Sequence, residues 1–359
     1  MATITRAKRR GKISNKLLKL AVVSFAVVLT LTLVSSGTQK SFWRFSSKAI
    51  NYHVDESCKI LPAIRPTGSF FLDANIKSSA SSEMVSPSFR VGTIFNGRSV
   101  SRHMTTDIAN FHLVKDFLKG KEGGLVFDIG ANQGFYTYYL ASMGMEVHSF
   151  EINEQNFKAL LHGTEFNPHE VADRVNLYPV GLGEKNKRFD MKGAQYGGFL
   201  TDNNDAGGSI LGVSFDCFAH HMQGKLDMSD VAFVRLDVVG FEIAVLKGSQ
   251  NSLFKHSKIG GFLMEVGPDR WSRAAINFAT GVDEMKKLAE HFKSSNVLLR
   301  EDGAQAGTCP VTLAADVLSD KKPRAFDGVQ MFVVKSHEWE PLLAKMEEKH
   351  YDCNFFYKN

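Results

Sequence analysis

Two glycines and two acidic residues have the spacing of a nucleotide-binding turn. Gly130 and Gly134 follow an apolar run that ends in Asp128, and Glu151 comes 17 positions after the second glycine. Glycine has no Cβ, so the turn can adopt positive φ and a ligand can lie against the N–H groups of the following helix. An acid about 20 residues further on can accept hydrogen bonds from ribose hydroxyls. The pattern therefore predicts a cofactor site containing Asp128, Gly130, Asn132, Gly134 and Glu151.

The glycine spacing also selects among cofactors. NAD sites use G-x-G-x-x-G, in which an additional glycine allows close approach to a pyrophosphate. Here the pattern from Asp128 is D-x-G-x-x-x-G, which is typical of sites for S-adenosylmethionine, a cofactor without phosphate. We therefore predict S-adenosylmethionine as the cofactor. The alternatives are an NAD-dependent oxidoreductase and an ordinary strand-turn-helix corner without a ligand.

Three further acids are the candidate catalytic residues: Asp237, Glu265 and Glu242. Methyl transfer from a sulfonium is an in-line displacement, and a hydroxyl acceptor must also lose its proton. Asp237 follows a buried strand and is expected beside the methionine part of the cofactor or the acceptor, and Glu265 is a candidate base. Asp237 can alternatively be a structural acid at a strand end that accepts hydrogen bonds from backbone N–H groups. Glu265 can alternatively be an acid at the rim of the site without a catalytic role. Glu242 can alternatively complement a helix N-terminus.

These acids come together only if the strands that carry them are parallel neighbours. Apolar segments separated by helical patterns predict strands at 125–127, 145–150, 175–180, 231–236 and 261–266. Strands that alternate with helices indicate a largely parallel sheet with ligands at the strand carboxyl ends. Pro179 is consistent with a third strand at the sheet edge.

Other segments surround this core. Helices are predicted at 108–118, after Asn153, from 214, at 282–292 and at 339–349, with strands at 89–96 and 328–335. Residues 193–212 are rich in Gly, Asn and Asp, and we expect them to form an irregular, functional loop.

A second segment adds a family resemblance. Residues 231–249 read VAFVRLDVVGFEIAVLKGS and, with VFDIGANQGFYT from Val126 and VGLGE from Val180, resemble the FkbM family of class I S-adenosylmethionine-dependent methyltransferases. The resemblance covers about residues 120–270 and extends to the late strand near 330. It implies an α/β, Rossmann-like sheet of order 3-2-1-4-5-7-6. It also implies methyl transfer to an oxygen of a sugar or related small molecule.

One position departs from the family pattern. The second family motif usually reads K-I-D-V-E-G-x-E, and Arg235, Asp237, Gly240 and Glu242 match it or nearly do. Val239 stands where the family usually has glutamate. A non-catalytic methyltransferase-like binding domain is therefore the alternative to an active O-methyltransferase.

The basic charge of the chain lies at its N-terminus. The 359 residues carry a net charge of +5, and residues 1–54 hold 10 of the 43 basic residues and none of the 38 acidic ones. The remainder has 33 basic against 38 acidic residues and is mildly acidic. Nucleic-acid binding is not expected, because it requires clustered basic charge on the folded part.

An uncharged apolar stretch, residues 20–38, follows a basic segment at 1–19. Its length fits the roughly 17–25 residues that span a bilayer. Because the cations lie on one side, we predict a cytosolic tail, a transmembrane signal anchor and a lumenal catalytic domain in a type II protein of the secretory pathway. A cleaved signal peptide followed by secretion, and an organelle transit peptide, are the alternatives.

Residues 39–88 are expected to form a Ser- and Pro-containing stem, followed by a methyltransferase domain at 89–359. The cysteines are scattered and form no C-x-x-C pair, so a metal site is not predicted, whereas an oxidising lumen would allow three disulfide pairings. They are Cys58, Cys217, Cys309 and Cys353.

Histidines and tyrosines supply weaker candidates. Four histidines are expected to be surface or packing residues: His148, His162, His220 and His221. Three tyrosines after the glycine turn could line a sulfonium pocket or belong to a helix core: Tyr136, Tyr138 and Tyr139.

The sequence as a whole predicts methylation of a small-molecule or glycan acceptor by a membrane-anchored enzyme.

Overall fold

The computed structural model describes residues 76–80, 85–93, 98–192, 199–201, 210–300, 309–319, 323–326 and 329–359. All of them belong to a unit that spans residues 54–359. The predicted anchor at 20–38 and most of the predicted stem lie outside the described residues. Within the described ranges, no helix has both the length and the apolar character needed to cross a bilayer.

The described residues form fifteen strands and nine α-helices. The strands are β1 Lys77–Ala80, β2 Arg90–Thr93, β3 Leu125–Ile129, β4 Glu146–Phe150, β5 Val175–Tyr178, β6 Gly181–Gly183, β7 Lys187–Lys192, β8 Phe199–Thr201, β9 Ile210–Ser214, β10 Asp230–Leu236, β11 Lys258–Val266, β12 Ser294–Arg300, β13 Arg324–Phe326, β14 Val329–Val333 and β15 Cys353–Lys358. The helices are α1 Arg98–Leu118, α2 Phe135–Ser142, α3 Glu154–Phe166, α4 His169–Ala172, α5 Phe215–Met222, α6 Glu242–Lys247, α7 Phe278–Glu290, α8 Thr312–Val317 and α9 Trp339–Lys349.

Local sequence signals account for the central elements. Every residue of β3 is buried, which its four apolar residues favour and which makes the fifth, Asp128, a buried acid. Asn153 caps α3 by accepting hydrogen bonds from the N–H groups of Gln155 and Asn156. The predicted strand starting at Val175 ends at Tyr178, before Pro179, and it forms one edge of the main sheet as expected.

The main sheet has nine strands in the order β13-β14-β12-β15-β11-β10-β3-β4-β5. The strands β5, β4, β3, β10 and β11 are mutually parallel. Strand β15 is antiparallel to both β11 and β12 and lies between them. From β5 to β12 the order is 3-2-1-4-5-7-6, which confirms the expected Rossmann-like methyltransferase sheet. Strands β14 and β13 extend it beyond β12.

The seventh strand of this order was not predicted at its position. The predicted late strand near residue 330 forms β14, outside β12, and no strand was predicted after the terminal helix. Strand β15 takes the seventh position after α9 has returned the chain to the sheet. Its side chains Phe355 and Tyr357 are fully buried. Burial between two other strands therefore decides the position of β15, and a local apolar pattern does not reveal such pairing.

The prediction that residues 193–212 are irregular is wrong for part of the segment. Strand β8 and the start of β9 fall within it, while residues 193–198 and 202–209 lie outside the described residues. A four-stranded sheet of order β6-β9-β7-β8 contains both strands. Pairing with β7 gives these short segments backbone hydrogen bonds that the Gly-, Asn- and Asp-rich residues around them did not indicate.

Cys309 and Cys353 form a disulfide, which selects one of the pairings that the sequence left open. It joins the segment after β12 to the first residue of β15. Cys217 is a buried free thiol, and Cys58 lies outside the described residues.

Candidate active site

Four charged side chains meet at the carboxyl edge of the central parallel strands. Asp128 on β3 and Arg235 on β10 are register partners. Strands β10 and β11 are paired up to the residues just before Asp237 and Glu265. These two acids are therefore neighbours at the ends of adjacent strands. The structure thus brings together the strand-end acids that the sequence predicted.

The glycine turn lies directly against the end of β10. Gly130 and Gly134 have φ values of 86° and 94°, and Asn132 between them has φ 52°. A Cβ on Gly130 would overlap the carbonyl oxygen of Asp237. The sequence explained this glycine by close approach of a ligand. The structure adds a second reason, which is the approach of the neighbouring strand's backbone.

Glu151 connects the end of β4 to the glycine turn. Its carboxylate accepts hydrogen bonds from the backbone N–H of Asn132 at 2.7 Å and of Asn153 at 2.6 Å. Burial raises the pKa of Glu151 to about 7, against the lowering effect of these N–H donors. A carboxylate offers about four acceptor sites, so it keeps capacity for ribose hydroxyls. The structure places Glu151 at the predicted location.

Asp128 lies beneath the turn and is fully buried. It accepts hydrogen bonds from the hydroxyl of Thr137 at 2.6 Å and from Arg235 at 3.3 Å. Burial raises the pKa of Asp128, while Arg235 and Thr137 lower it. Its contacts are with protein groups that support the turn, and a direct contact with the cofactor stays a prediction.

Arg235 is the central cation of the site. Besides Asp128, its guanidinium donates to the carbonyl of Gly130 at 2.8 Å and to the carboxylate of Asp237. The guanidinium also lies over the ring of Tyr136, 4.5 Å from its centroid. Burial by itself lowers the pKa of Arg235, but Asp237 and Asp128 raise it above its ordinary value. The sequence marked this residue only as a motif match.

Asp237 and Glu265 differ in their surroundings. The side chain of Asp237 is 24% exposed and is paired with Arg235. Proximity to Asp237, then burial and Asp107, raise the pKa of Glu265 well above its usual range. Glu265 therefore keeps its proton to higher pH, and in that form it donates a hydrogen bond instead of accepting a proton.

Glu242 lies in the first turn of α6 and is 2% exposed. One carboxylate oxygen accepts from the N–H of Gly240 at 2.6 Å, and the other has no hydrogen-bond partner among the described residues. Burial raises the pKa of Glu242 to about 7. These contacts agree with its structural alternative, a carboxylate at a helix N-terminus.

Val239 has φ 46°, a conformation that is unusual for a β-branched residue. Gly240 follows with φ 97°, and Arg273 donates to the carbonyl of Val239 at 3.3 Å. Strain of this kind costs about 1–3 kcal/mol and often occurs at functional sites. The position where the family has glutamate is therefore a strained corner beside Asp237.

Helix α1 supplies two polar residues that the sequence did not identify. Burial raises the pKa of Asp107 to about 6. Arg235 and Arg300 lower this pKa, and Asp237 raises it. Asn110 is buried and hydrogen-bonds to Tyr136. Asp107 lies one turn before Phe111 of the predicted apolar stripe. Its position on the same helix face as Phe111 was the sequence feature that could have identified it.

The tyrosines separate into two groups. Tyr138 and Tyr139 donate their hydroxyls to the carbonyls of Leu160 and Phe111, as helix-core residues do. Tyr136 instead contacts Arg235. Among the histidines, His148 packs between strands and shares a hydrogen bond of 2.8 Å with Tyr178.

No family model matches this sequence, and no curated protein sequence matches it either. Membership of the FkbM family therefore stays a prediction from the residue pattern.

Solved structures similar to this chain include methyltransferases of low sequence identity. A SAM-dependent methyltransferase from Agrobacterium tumefaciens is 10% identical over 82% of this chain and 72% of its own, with a TM-score of 0.38. An O-methyltransferase from Bacillus cereus in complex with SAH is 14% identical over 63% of this chain and 80% of its own, with a TM-score of 0.34. The precorrin-6y C5,15-methyltransferase from Geobacter metallireducens is 11% identical over 69% and 87%, with a TM-score of 0.30. The fold assignment rests on the strand order of this chain itself.

Proposed function

We propose that this protein is an S-adenosylmethionine-dependent methyltransferase that methylates a hydroxyl of a sugar or related small molecule. The observation that carries the proposal is the meeting of Glu151, Asp237 and the positive-φ turn at the carboxyl edge of a 3-2-1-4-5-7-6 sheet. Ligands of open α/β sheets bind at this edge. The resemblance to FkbM methyltransferases supports the choice of an oxygen acceptor.

The residues present fit the cofactor. Glu151 has acceptor capacity left for two ribose hydroxyls, and its bond to Asn132 holds it at the turn. The partly exposed Asp237 can accept a hydrogen bond either from the ammonium of the methionine part or from the acceptor hydroxyl. The sulfonium supplies the methyl group when the cofactor is bound.

The protein's own groups then align the acceptor and manage its proton. Where Asp237 faces the acceptor, it would take the proton that the hydroxyl loses on methylation. Arg235 orients Asp237 through their ion pair. Asp237 and burial raise the pKa of the neighbouring Glu265 well above its usual range, and in its protonated form Glu265 would donate a hydrogen bond to the acceptor oxygen.

Calorimetric titration of the full-length chain with S-adenosylmethionine tests the proposal. We expect Glu151→Ala to weaken binding by at least tenfold, because it removes the ribose acceptor. The matched control is Glu154→Ala, an exposed acid one turn further on in α3, which should bind like wild type. Equal affinity in all three proteins would contradict the assignment.

A non-catalytic methyltransferase-like domain is the second candidate, favoured by Val239 at the family's glutamate position. It predicts cofactor binding without turnover. Release of S-adenosylhomocysteine with any member of a glycan and small-molecule alcohol panel would exclude it.

We also propose that the domain faces a secretory lumen behind the anchor at residues 20–38. The disulfide between Cys309 and Cys353 supports this location, because disulfides persist in oxidising compartments. A protease-protection assay on sealed microsomes should leave residues 89–359 intact, and their digestion would contradict the proposal.

A further inference from the structure

Helix α1 brings Asp107 to the carboxyl edge of the central strands. Near the end of α1, the ring of Phe117 lies 6.0 Å from the ring of Phe233 on β10. Asp107 comes ten residues before Phe117, which is about 15 Å of helix. Asp237 comes four residues after Phe233, which is about 13 Å of extended chain. Because α1 runs antiparallel to β10, Asp107 and Asp237 lie at about the same level.

The side chain of Asp107 is on the inward face of α1. Asn110 and Phe111 follow it by three and four residues, which is the spacing of neighbours on one helix face, and both are buried. Asn110 hydrogen-bonds to Tyr136, and the ring of Phe111 stacks on the ring of Tyr136 with 4.5 Å between the centroids. Tyr136 lies in the first turn of α2, and the guanidinium of Arg235 lies over its ring. This face of α1 therefore covers the side of the site next to the glycine turn.

Asp107 is within electrostatic range of the acids at the strand ends. Asp237 raises the pKa of Asp107, and Asp107 in turn raises the pKa of Glu265. Arg235 and Arg300 have the opposite effect on the pKa of Asp107. Carboxyl groups from α1, β10 and β11 therefore face a common region above the strand ends.

The acids of this region differ in how far protein groups engage them. Asp128 and Asp237 share the guanidinium of Arg235. Glu265 keeps its proton to higher pH, because Asp237, burial and Asp107 raise its pKa. Asp107 is partly buried and is neither hydrogen-bonded nor ion-paired to another residue that the structure describes. Its carboxylate therefore keeps the capacity to accept hydrogen bonds from a ligand.

We propose that Asp107 binds the ammonium of the methionine part of the cofactor, which it holds together with Asp237. The inference rests on the proposed function and extends the cofactor site to a residue outside the glycine turn. An ammonium has three N–H donors, so it can donate to both carboxylates at once. Its positive charge also reduces the repulsion between them. The structural alternative for Asp107 is a countercharge for Arg235 and Arg300 without ligand contact.

The test compares two probes that differ only in the ammonium: S-adenosylhomocysteine and its deamino analogue, in which hydrogen replaces this group. Each probe is titrated calorimetrically into full-length wild type and into full-length Asp107→Asn. Wild type should prefer S-adenosylhomocysteine. The variant should bind this probe about tenfold more weakly or worse, because a hydrogen bond between charged groups is lost. It should bind the deamino probe within about twofold of wild type, because that probe has no group for Asp107 to contact.

The matched control is Asp116→Asn, which changes an exposed acid further along α1 and should bind both probes like wild type. Unchanged affinity of Asp107→Asn for S-adenosylhomocysteine would overturn the proposal. A similar loss of affinity for both probes would also overturn it, because Asp107 would then support the site without contacting the ammonium.

The wild-type titrations distinguish this inference from the proposed function. Absence of binding of both probes to wild type contradicts the proposed function. Binding of both probes with equal affinity contradicts only the ammonium contact of Asp107.

Discussion

The acids of the site differ mainly in which groups offset the free-energy cost of burying a charged carboxylate. Asp128 and Asp237 share the guanidinium of Arg235. Glu242 has a backbone N–H on one oxygen and no hydrogen-bond partner among the described residues on the other. Burial disfavours the charged form of a carboxylate, and for Glu242 this effect outweighs the lowering of its pKa by the Gly240 N–H and Arg270, so its proton is retained to higher pH. Residue type alone does not distinguish these cases.

The raised pKa of Glu242 makes a pH-dependent contribution to stability. Its pKa is about 7 in the folded chain, compared with an ordinary value of 4.5. Between these values the folded state binds more protons than the unfolded state, so stability falls as pH rises. Glu242→Gln removes this titration and should reduce the loss of stability between pH 5 and 8 by roughly 2–3 kcal/mol.

Urea unfolding followed by fluorescence of the buried Trp271 and Trp339 measures this difference. Glu290→Gln changes an exposed acid of α7 and should leave the pH dependence as in wild type. An identical pH dependence in Glu242→Gln and wild type would show that the burial of Glu242 does not control it.

At the scale of elements, the turn between β3 and α2 is constrained by its neighbours. Gly130 contacts the end of β10, and Asn132 is held by Glu151 at the end of β4. The ends of β3, β4 and β10 therefore fix the conformation of this turn. The cofactor would bind to a preformed surface, which reduces the ordering cost of binding.

This arrangement predicts a difference between two glycines of similar φ. Gly224→Ala should cost about 1–2 kcal/mol, because its φ is 74° and nothing lies within 4 Å of the added Cβ. Gly130→Ala has a φ of 86° and also collides with the carbonyl of Asp237, so it should cost several kcal/mol more. It should also weaken S-adenosylmethionine binding.

Urea titration of the two variants measures their free energies of unfolding, and calorimetry measures their affinities for S-adenosylmethionine. The interpretation fails if the two alanine variants are equally stable and bind cofactor equally.

At the scale of the whole molecule, the C-terminal strand completes the main sheet. Strand β15 lies between β11 and β12, and a disulfide joins its first residue to the segment after β12. The last residues of the chain thus join the parallel half of the sheet to its extension, β12, β14 and β13.

Loss of the disulfide should destabilise the folded chain. The two cysteines are separated by 44 positions, for which loop entropy predicts roughly 4 kcal/mol and typical measurements give about 2–4 kcal/mol. We expect the double variant Cys309→Ser/Cys353→Ser to lose stability in this range in urea titrations. Dithiothreitol should lower the stability of wild type and leave the double variant unchanged. Equal stability of oxidised wild type and the double variant would be evidence against the pairing.

Strong local patterns predicted the parallel core. The strand-turn-helix at Asp128, the helix cap at Asn153 and the edge strand before Pro179 depend on neighbouring residues, so the sequence contains their signals. The same holds for Glu151, Asp237 and Glu265, because strand-end acids meet wherever parallel strands are adjacent. The membrane anchor and the acceptor class stay predictions.

The sequence by itself determined the glycine turn, the strand-end acids and the alternation of strands with helices. Only the tertiary structure decided the role of Arg235, the proton affinity of Glu265, the cysteine pairing and the position of β15. The physical reason is distance along the chain. Arg235 meets Asp128 across 107 positions, and such contacts depend on burial and strand order, which no local pattern encodes.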